Sequence, residues 1–234
     1  MQIFYAPGIN GKTWVLDEKE SKHCIKVLRM GEGTPVKLID GKGNLYEGII
    51  TKADYKKCEI GVKNIIKDFE KRSYRLHIAI SPLKNPDRFE WFIEKSVELG
   101  IDEITPILCR NTEKSGIKTE RINNIIISAM KQSLKAGITV QNKAVSFDEF
   151  ILEEHKAVKL IAHCNPSKGR SKISDAYSKG NDAIILIGPE GDFSEEEIEK
   201  AVTAGFIPVQ LGNSRLRTET AGIAACHSIY FLNQ

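Results

Sequence analysis

Five short apolar runs between residues 75 and 211 (RLHIAI, IDEITPIL, VKLIAHC, AIILIG and FIPVQL) constrain this chain more than any other feature. Each suits a single strand and is too short to cross a bilayer. Amphipathic segments lie between them. Arg88 to Leu99 carries Phe89, Phe92, Ile93 and Val97 at helical spacing and stops at Gly100, the residue that most readily takes a left-handed C-cap. Arg121 to Ala136, Ser194 to Ala204 and Thr218 to Phe231 read as further helices. Strands alternating with helices predict a largely parallel sheet covered on both faces, an α/β fold.

The chain before this region has another rhythm. TPVKLIDGKGNLYEGIITK is an apolar alternation broken by Asp-Gly-Lys-Gly-Asn, a hairpin signal, and CEIGVKNII alternates again. One short helix precedes them, with Asp17 as N-cap, Glu20 three residues on, Cys24, Val27 and Leu28 inward and Gly31 as the stop. Several short strands with one helix predict a small β-barrel. The charged stretch KDFEKRSYR separates the two regions, which places one domain at residues 1–70 and a second at 71–234.

Composition narrows the function classes. Hydrophobic residues make up 41% and charged residues 28% of 234, as in ordinary globular proteins. MQIFYAPGIN lacks a basic region followed by a long apolar stretch, so no signal peptide is expected and the reading is cytoplasmic, without a membrane partner. Cys24, Cys58, Cys109, Cys164 and Cys226 are odd in number and form no Cys-x-x-Cys pair, which favours reduced thiols over disulfides or zinc. The five histidines are scattered, so no metal site is expected. Residues 1–72 hold 14 Lys and Arg against 10 Asp and Glu, while the remainder holds 20 against 21; the basic front suits a polyanionic partner, as it suits an ordinary solvated surface.

In a parallel sheet, ligands gather at the carboxyl ends of strands. Gly188-Pro189-Glu190-Gly191 and Gly212-Asn213 both stand at such ends. Neither matches a phosphate loop. The helix that follows opens Ser194-Glu195-Glu196-Glu197, so a capping box occupies its free amides, and three carboxylates oppose any bound phosphate. A ligand without phosphates, held by backbone groups and carrying positive charge, fits better, and S-adenosylmethionine is one such molecule. The alternative is that the glycines only turn the chain.

LIGPEGDFSEEEIEKA followed by VQLGNSRLRTETAGIAA resembles the paired C-terminal motifs of the SPOUT RNA methyltransferases, and within them the RsmE family. HCIKVLRMGEG, LKNPDRFEWFIEKSVELGIDEITPI and AMKQS extend the resemblance over nearly the whole chain. Two places depart from the family pattern: Asp192 stands where glycine is frequent, and Leu134-Lys135-Ala136 stands where arginine is frequent, which bears on RNA contacts there.

The resemblance implies a PUA-like RNA-binding barrel followed by an α/β domain with a deep trefoil knot. It implies an enzyme that methylates N3 of a uridine of 16S rRNA (uridine 1498 in the usual numbering) in the small ribosomal subunit, using S-adenosyl-L-methionine, and acting as a homodimer. Ile187, Gly188, Gly191, Leu211, Gly212 and Leu216 are then expected to hold the cofactor. His163 is either a further cofactor contact or a strand-end histidine. Arg217 is the expected cation beside the base, its alternative being a salt bridge to Glu219 or Glu190. Glu190 is a general base, a partner of the sulfonium or a structural cap, and solvent is a further option for the base. His23, Lys26 and Arg29 on one face of the first helix, Lys84 and Arg88 at the loop opening the second domain, and Lys131 and Lys135 one turn apart are the expected RNA contacts. Two other classes stay open: a module that binds rRNA without chemistry, and the same chemistry on another RNA.

Overall fold

The computed structural model describes residues 2–113, 116–165 and 168–234, and the chain divides into two compact units. One comprises Met1–Lys71 with Met130–Ile138, the other Arg72–Ala129 with Thr139–Gln234.

In the first unit, β1 (Ile3–Tyr5), β3 (Pro35–Ile39), β4 (Leu45–Lys52), β5 (Glu59–Ile66) and β2 (Thr13–Val15) form one sheet in that order, antiparallel except for the β1–β3 pair. The hairpin between β3 and β4 is built as its sequence suggests. Gly41 and Gly43 adopt positive φ, and Asp40 accepts the Lys42 and Asn44 amides, the Asn44 side chain and the Tyr46 hydroxyl. Burial pushes the Asp40 carboxyl up, but these hydrogen bonds outweigh it and hold it below the usual carboxylate range. Phe4, Val36, Leu38, Tyr46, Ile50 and Ile60 form the core of this unit with Cys24 and Cys58.

Helix α1 (Glu18–Lys22) departs from expectation. Asp17 caps it as foreseen, accepting the Glu20 amide at 2.7 Å. Residues His23–Val27 then widen into a π-type turn, and Arg29 (φ 54°), not Gly31, leaves the helix in the left-handed region. The wider turn shifts the register, so Cys24 is buried while Val27 and Leu28 are exposed. His23, Lys26 and Arg29 therefore do not continue one helical face.

The second unit is built on β6 (Leu76–Ile80), β7 (Glu103–Leu108), β8 (Val140–Gln141), β9 (Val145–Ser146), β10 (Val158–Ala162), β11 (Ser171–Lys172), β12 (Ala183–Ile187) and β13 (Ile207–Gln210). All pair in parallel, in the order β11-β13-β10-β12-β6-β7-β8, with β9 also on β7. Side chains alternate across the sheet. Ile184 and Leu186 of β12 join Phe147, Phe150 and Ile151 of α4 (Phe147–Leu152) and Ile198 and Ala201 of α6 (Glu195–Thr203) on one face. On the other, α7 (Thr218–Leu232) packs against α2 (Pro86–Leu99) and β6, where Gly222 meets Phe92 and Ile80. Helix α5 (Ile173–Ala176) is a single turn after β11. Helix α3 (Thr119–Gln132) stops short of the expected Ala136, because Leu134 turns the chain at φ 59°. No helix among the described residues is long and apolar enough to cross a membrane.

Candidate active site

Strand order departs from chain order around β10. Strands β12 and β13 both follow β10 in the chain, yet they flank it, with Ala162 in register with Ile187 on one side and Val209 on the other. Both glycine loops are thereby brought to the carboxyl end of β10, where such changes of strand order open a crevice. Two adjoining clefts lie there, of about 580 and 440 Å³, sharing Ala162, Cys164, Asp192, Arg215, Leu216 and Ala221. The first adds His163, Leu211 and Gly212, and the second Ile187, Gly188, Glu190, Arg217 and Glu219.

The loop glycines have local reasons. A Cβ on Gly188 would stand 3.1 Å from the Phe193 ring and amide, and Gly212 has φ 125°. Gly191 lies against Asn111, whose side chain donates to the carbonyls of Gly191 and Asp192. Asp192 takes φ 63°, a left-handed conformation that explains why glycine suits this position. Its carboxylate offsets the strain by accepting the Cys164 amide at 2.7 Å and the Phe193 amide at 2.8 Å. The capping box ahead of α6 is present: Glu197 accepts the Ser194 amide at 2.8 Å and also the Arg110 amide at 2.8 Å. The capping box and the carboxylates of the first turn make this helix start unfavourable for a phosphate.

His163 is buried in the wall of the larger cleft, and among the described residues neither ring nitrogen has a hydrogen-bond partner. Burial holds its pKa below the ordinary histidine value; Asp192 opposes this and Arg170 reinforces it. A neutral imidazole offers one donor and one acceptor, and leaving both unmet in a buried site is costly. The cleft is therefore built for a polar ligand, and the donor set, without a phosphate-binding helix start, fits S-adenosylmethionine.

Arg217 is exposed at the start of α7, and among the described residues it has no ion-pair partner. Both expected alternatives are taken by other groups. Glu219 faces Arg88 (Nε to Oε1 3.8 Å), and Glu190 accepts the Lys84 amide at 3.0 Å. Glu190 is exposed, the arrangement of a loop brace rather than of a desolvated base. Lys84 pairs with Glu113 at 2.8 Å. Of the expected RNA contacts, Lys26 is exposed, with its ammonium 4.1 Å from the Tyr55 ring centre. Lys131 is instead drawn into a mostly buried pair with Glu20, which turns Glu20 away from the capping box, and Lys135 lies beyond the end of α3. Arg215, Asp192 and Glu219 line the clefts and were not expected as site residues, although Asp192 and Glu219 were noted in other roles. Glu219 stands inside the RLRTETAG motif, where a lone acid two residues after Arg217 was a usable signal.

The comparisons agree with this architecture. A family model described as an RNA methyltransferase domain matches residues 70–230, and one described as an RNA methyltransferase PUA domain matches 16–63. Ribosomal RNA small subunit methyltransferase E of Buchnera aphidicola subsp. Schizaphis graminum is 32% identical over 222 residues, covering 90% of this chain and 87% of that protein. A probable rRNA-methyltransferase from Porphyromonas gingivalis is 44% identical with a TM-score of 0.94, over 100% of this chain and 98% of that one. A ribosomal RNA small subunit methyltransferase E from Neisseria gonorrhoeae, crystallised with S-adenosyl methionine, is 28% identical with a TM-score of 0.88 over the same shares. A PUA-like N-terminal domain followed by an α/β methyltransferase domain on a parallel sheet, with two glycine loops meeting over β10, places the chain in the ribosomal RNA small subunit methyltransferase E family of RNA methyltransferases.

Proposed function

We propose that this chain transfers a methyl group from S-adenosyl-L-methionine to N3 of a specific uridine of 16S rRNA in the small ribosomal subunit. The observation that carries the reading is the paired cleft over β10, with His163 unpartnered on one side and Arg217 unpaired on the other among the described residues. The donor supplies an electrophilic methyl carbon when bound. Ile187, Gly188, Gly191, Leu211, Gly212 and Leu216 hold it through backbone groups, with His163 as a side-chain contact. The uridine must leave its stack to present N3. Arg217 then faces the negative charge that grows on O2 and O4 as N3 becomes nucleophilic, which lowers the barrier.

Residues 1–70 serve as the RNA-holding domain and 71–234 as the catalytic one. His23, Lys26, Arg29, Lys84 and Arg88 contribute phosphate contacts, with Lys131 and Lys135 weaker candidates given Glu20 and the end of α3. The reading also includes a cytoplasmic homodimer and a trefoil knot; the placement of β12 and β13 on either side of the earlier strand β10 is consistent with the knot. Calorimetry with S-adenosylmethionine tests the cofactor half: one site per chain is expected, and absence of binding refutes an enzymatic role in favour of an rRNA-binding module.

A further inference from the structure

We propose that Glu219 reads the N3–H of the target uracil and removes its proton, an inference that rests on the uridine N3 reading above. Glu219 lies in the first turn of α7, its side chain only 8% exposed, in the wall of the cleft that also holds Ile187, Gly188 and Arg217. A buried carboxylate ordinarily collects hydrogen-bond donors. Buried Glu197 at the start of α6 does so, holding the Ser194 and Arg110 amides, and partly buried Asp192 in the cleft walls holds the Cys164 and Phe193 amides. Among the described residues no donor reaches Glu219 within hydrogen-bond distance. Its one close cation is Arg88 at 3.8 Å, with a side chain 44% exposed.

Uracil carries at N3 the donor this carboxylate lacks, flanked by two carbonyl oxygens that a guanidinium complements. Cytosine carries an acceptor at the same atom and would meet the carboxylate lone pair to lone pair, so Glu219 selects uracil as well as acting on it. The N3 proton passes to the Glu219 carboxylate, which leaves an in-plane lone pair on N3. That pair forms the bond to the methyl carbon, and the electrons of the broken carbon–sulfur bond stay on sulfur; the proton then leaves through the cleft mouth to water. Arg88 adds a coupling. Half exposed, it can exchange from Glu219 to an RNA phosphate, which leaves the carboxylate free to meet the uracil N3–H when RNA is bound.

The test uses small subunits bearing uridine or cytidine at the target position, with wild-type protein and Glu219→Gln. Without methyl donor, wild type is expected to bind the uridine subunits about tenfold tighter, and Glu219→Gln to bind both alike, since an amide presents either a donor or an acceptor. With donor, Glu219→Gln is expected to lose about 10²–10⁴-fold in rate, with calorimetric affinity for S-adenosylmethionine unchanged. Its residual rate should climb about tenfold per pH unit from roughly pH 7 to 9, where wild type is flat, because hydroxide must take over the proton. Should Glu219→Gln fail to fold, Glu219→Asp keeps the charge and should retain the uridine preference and the flat profile. Equal losses in Glu219→Gln and Arg88→Gln, with the uridine preference intact and parallel pH profiles, would overturn the inference and leave Glu219 as a holder of Arg88. A wild type that methylates no uridine N3 refutes the parent reading instead.

Discussion

At the scale of single residues, the informative groups are buried polar ones whose partners are absent or unusual. His163 and Glu219 are such groups in the clefts. His77 is the contrasting case, partnered and away from the clefts: its Nε2 lies 2.7 Å from the Thr105 hydroxyl, towards the amino end of β6. Burial first, and then His155 and Arg75 against the opposing pull of Glu103, lowers its pKa to about 4. The unfolded chain therefore takes up this proton near pH 6.5 and the folded chain only near 4. Stability from this group is complete above pH 6.5, declines between 6.5 and about 4, and is at most about 3 kcal/mol. Urea unfolding at pH 7 and 4.5 should show the decline, and His77→Gln should remove most of it; an unchanged slope in the variant contradicts the assignment. Arg217→Ala belongs to the same scale: methyl transfer should fall by about 10²–10³-fold with S-adenosylmethionine affinity retained, whereas joint loss of both assigns Arg217 a structural role.

At the scale of elements, the loops and helices show how far the sequence could be read. The five strands, the Gly100 C-cap (φ 89°) and the Ser194–Glu197 capping box were legible, because apolar periodicity and caps are local signals. The π-type turn of His23–Val27 was not, since it depends on Ser21 and Cys24 packing under the strand that follows Cys58. Nor was the role of Glu219, because only the fold shows that its neighbour Arg88 stands too far for a hydrogen bond. Asp192 illustrates the middle ground: the departure from glycine was visible, but the strain and its relief by two amide bonds were not. Asp192→Ala should keep the strain and lose the bonds, costing about 1–3 kcal/mol in thermal unfolding, while Asp192→Gly should cost less. Equal losses would show that the carboxylate, not the backbone, sets the loop. Gly222→Ala would bring a Cβ to 2.5 Å from Phe92 Cε2, and Phe92 is fully buried. Overpacking of about 1–3 kcal/mol, partly offset by the better helix propensity of alanine, should lower Tm by a few degrees.

At the scale of the whole molecule, the chain combines a basic front part, a parallel sheet in which β12 and β13 flank β10, and a cleft pair at the carboxyl end of β10. Phosphate contacts should make rRNA affinity fall steeply with salt, and replacing Lys26 or Arg29 should lower the log–log slope by about one. The most direct measurement of the central claim is to incubate the purified protein with S-adenosylmethionine and small subunits from a strain lacking it, then map 16S rRNA by reverse transcription and nucleoside mass spectrometry. N3-methyluridine blocks pairing, so the account predicts a new strong stop at a single uridine, with N3-methyluridine in the digest and neither with Arg217→Ala. No methylation, or methylation only at a carbon or a ribose oxygen, would contradict it.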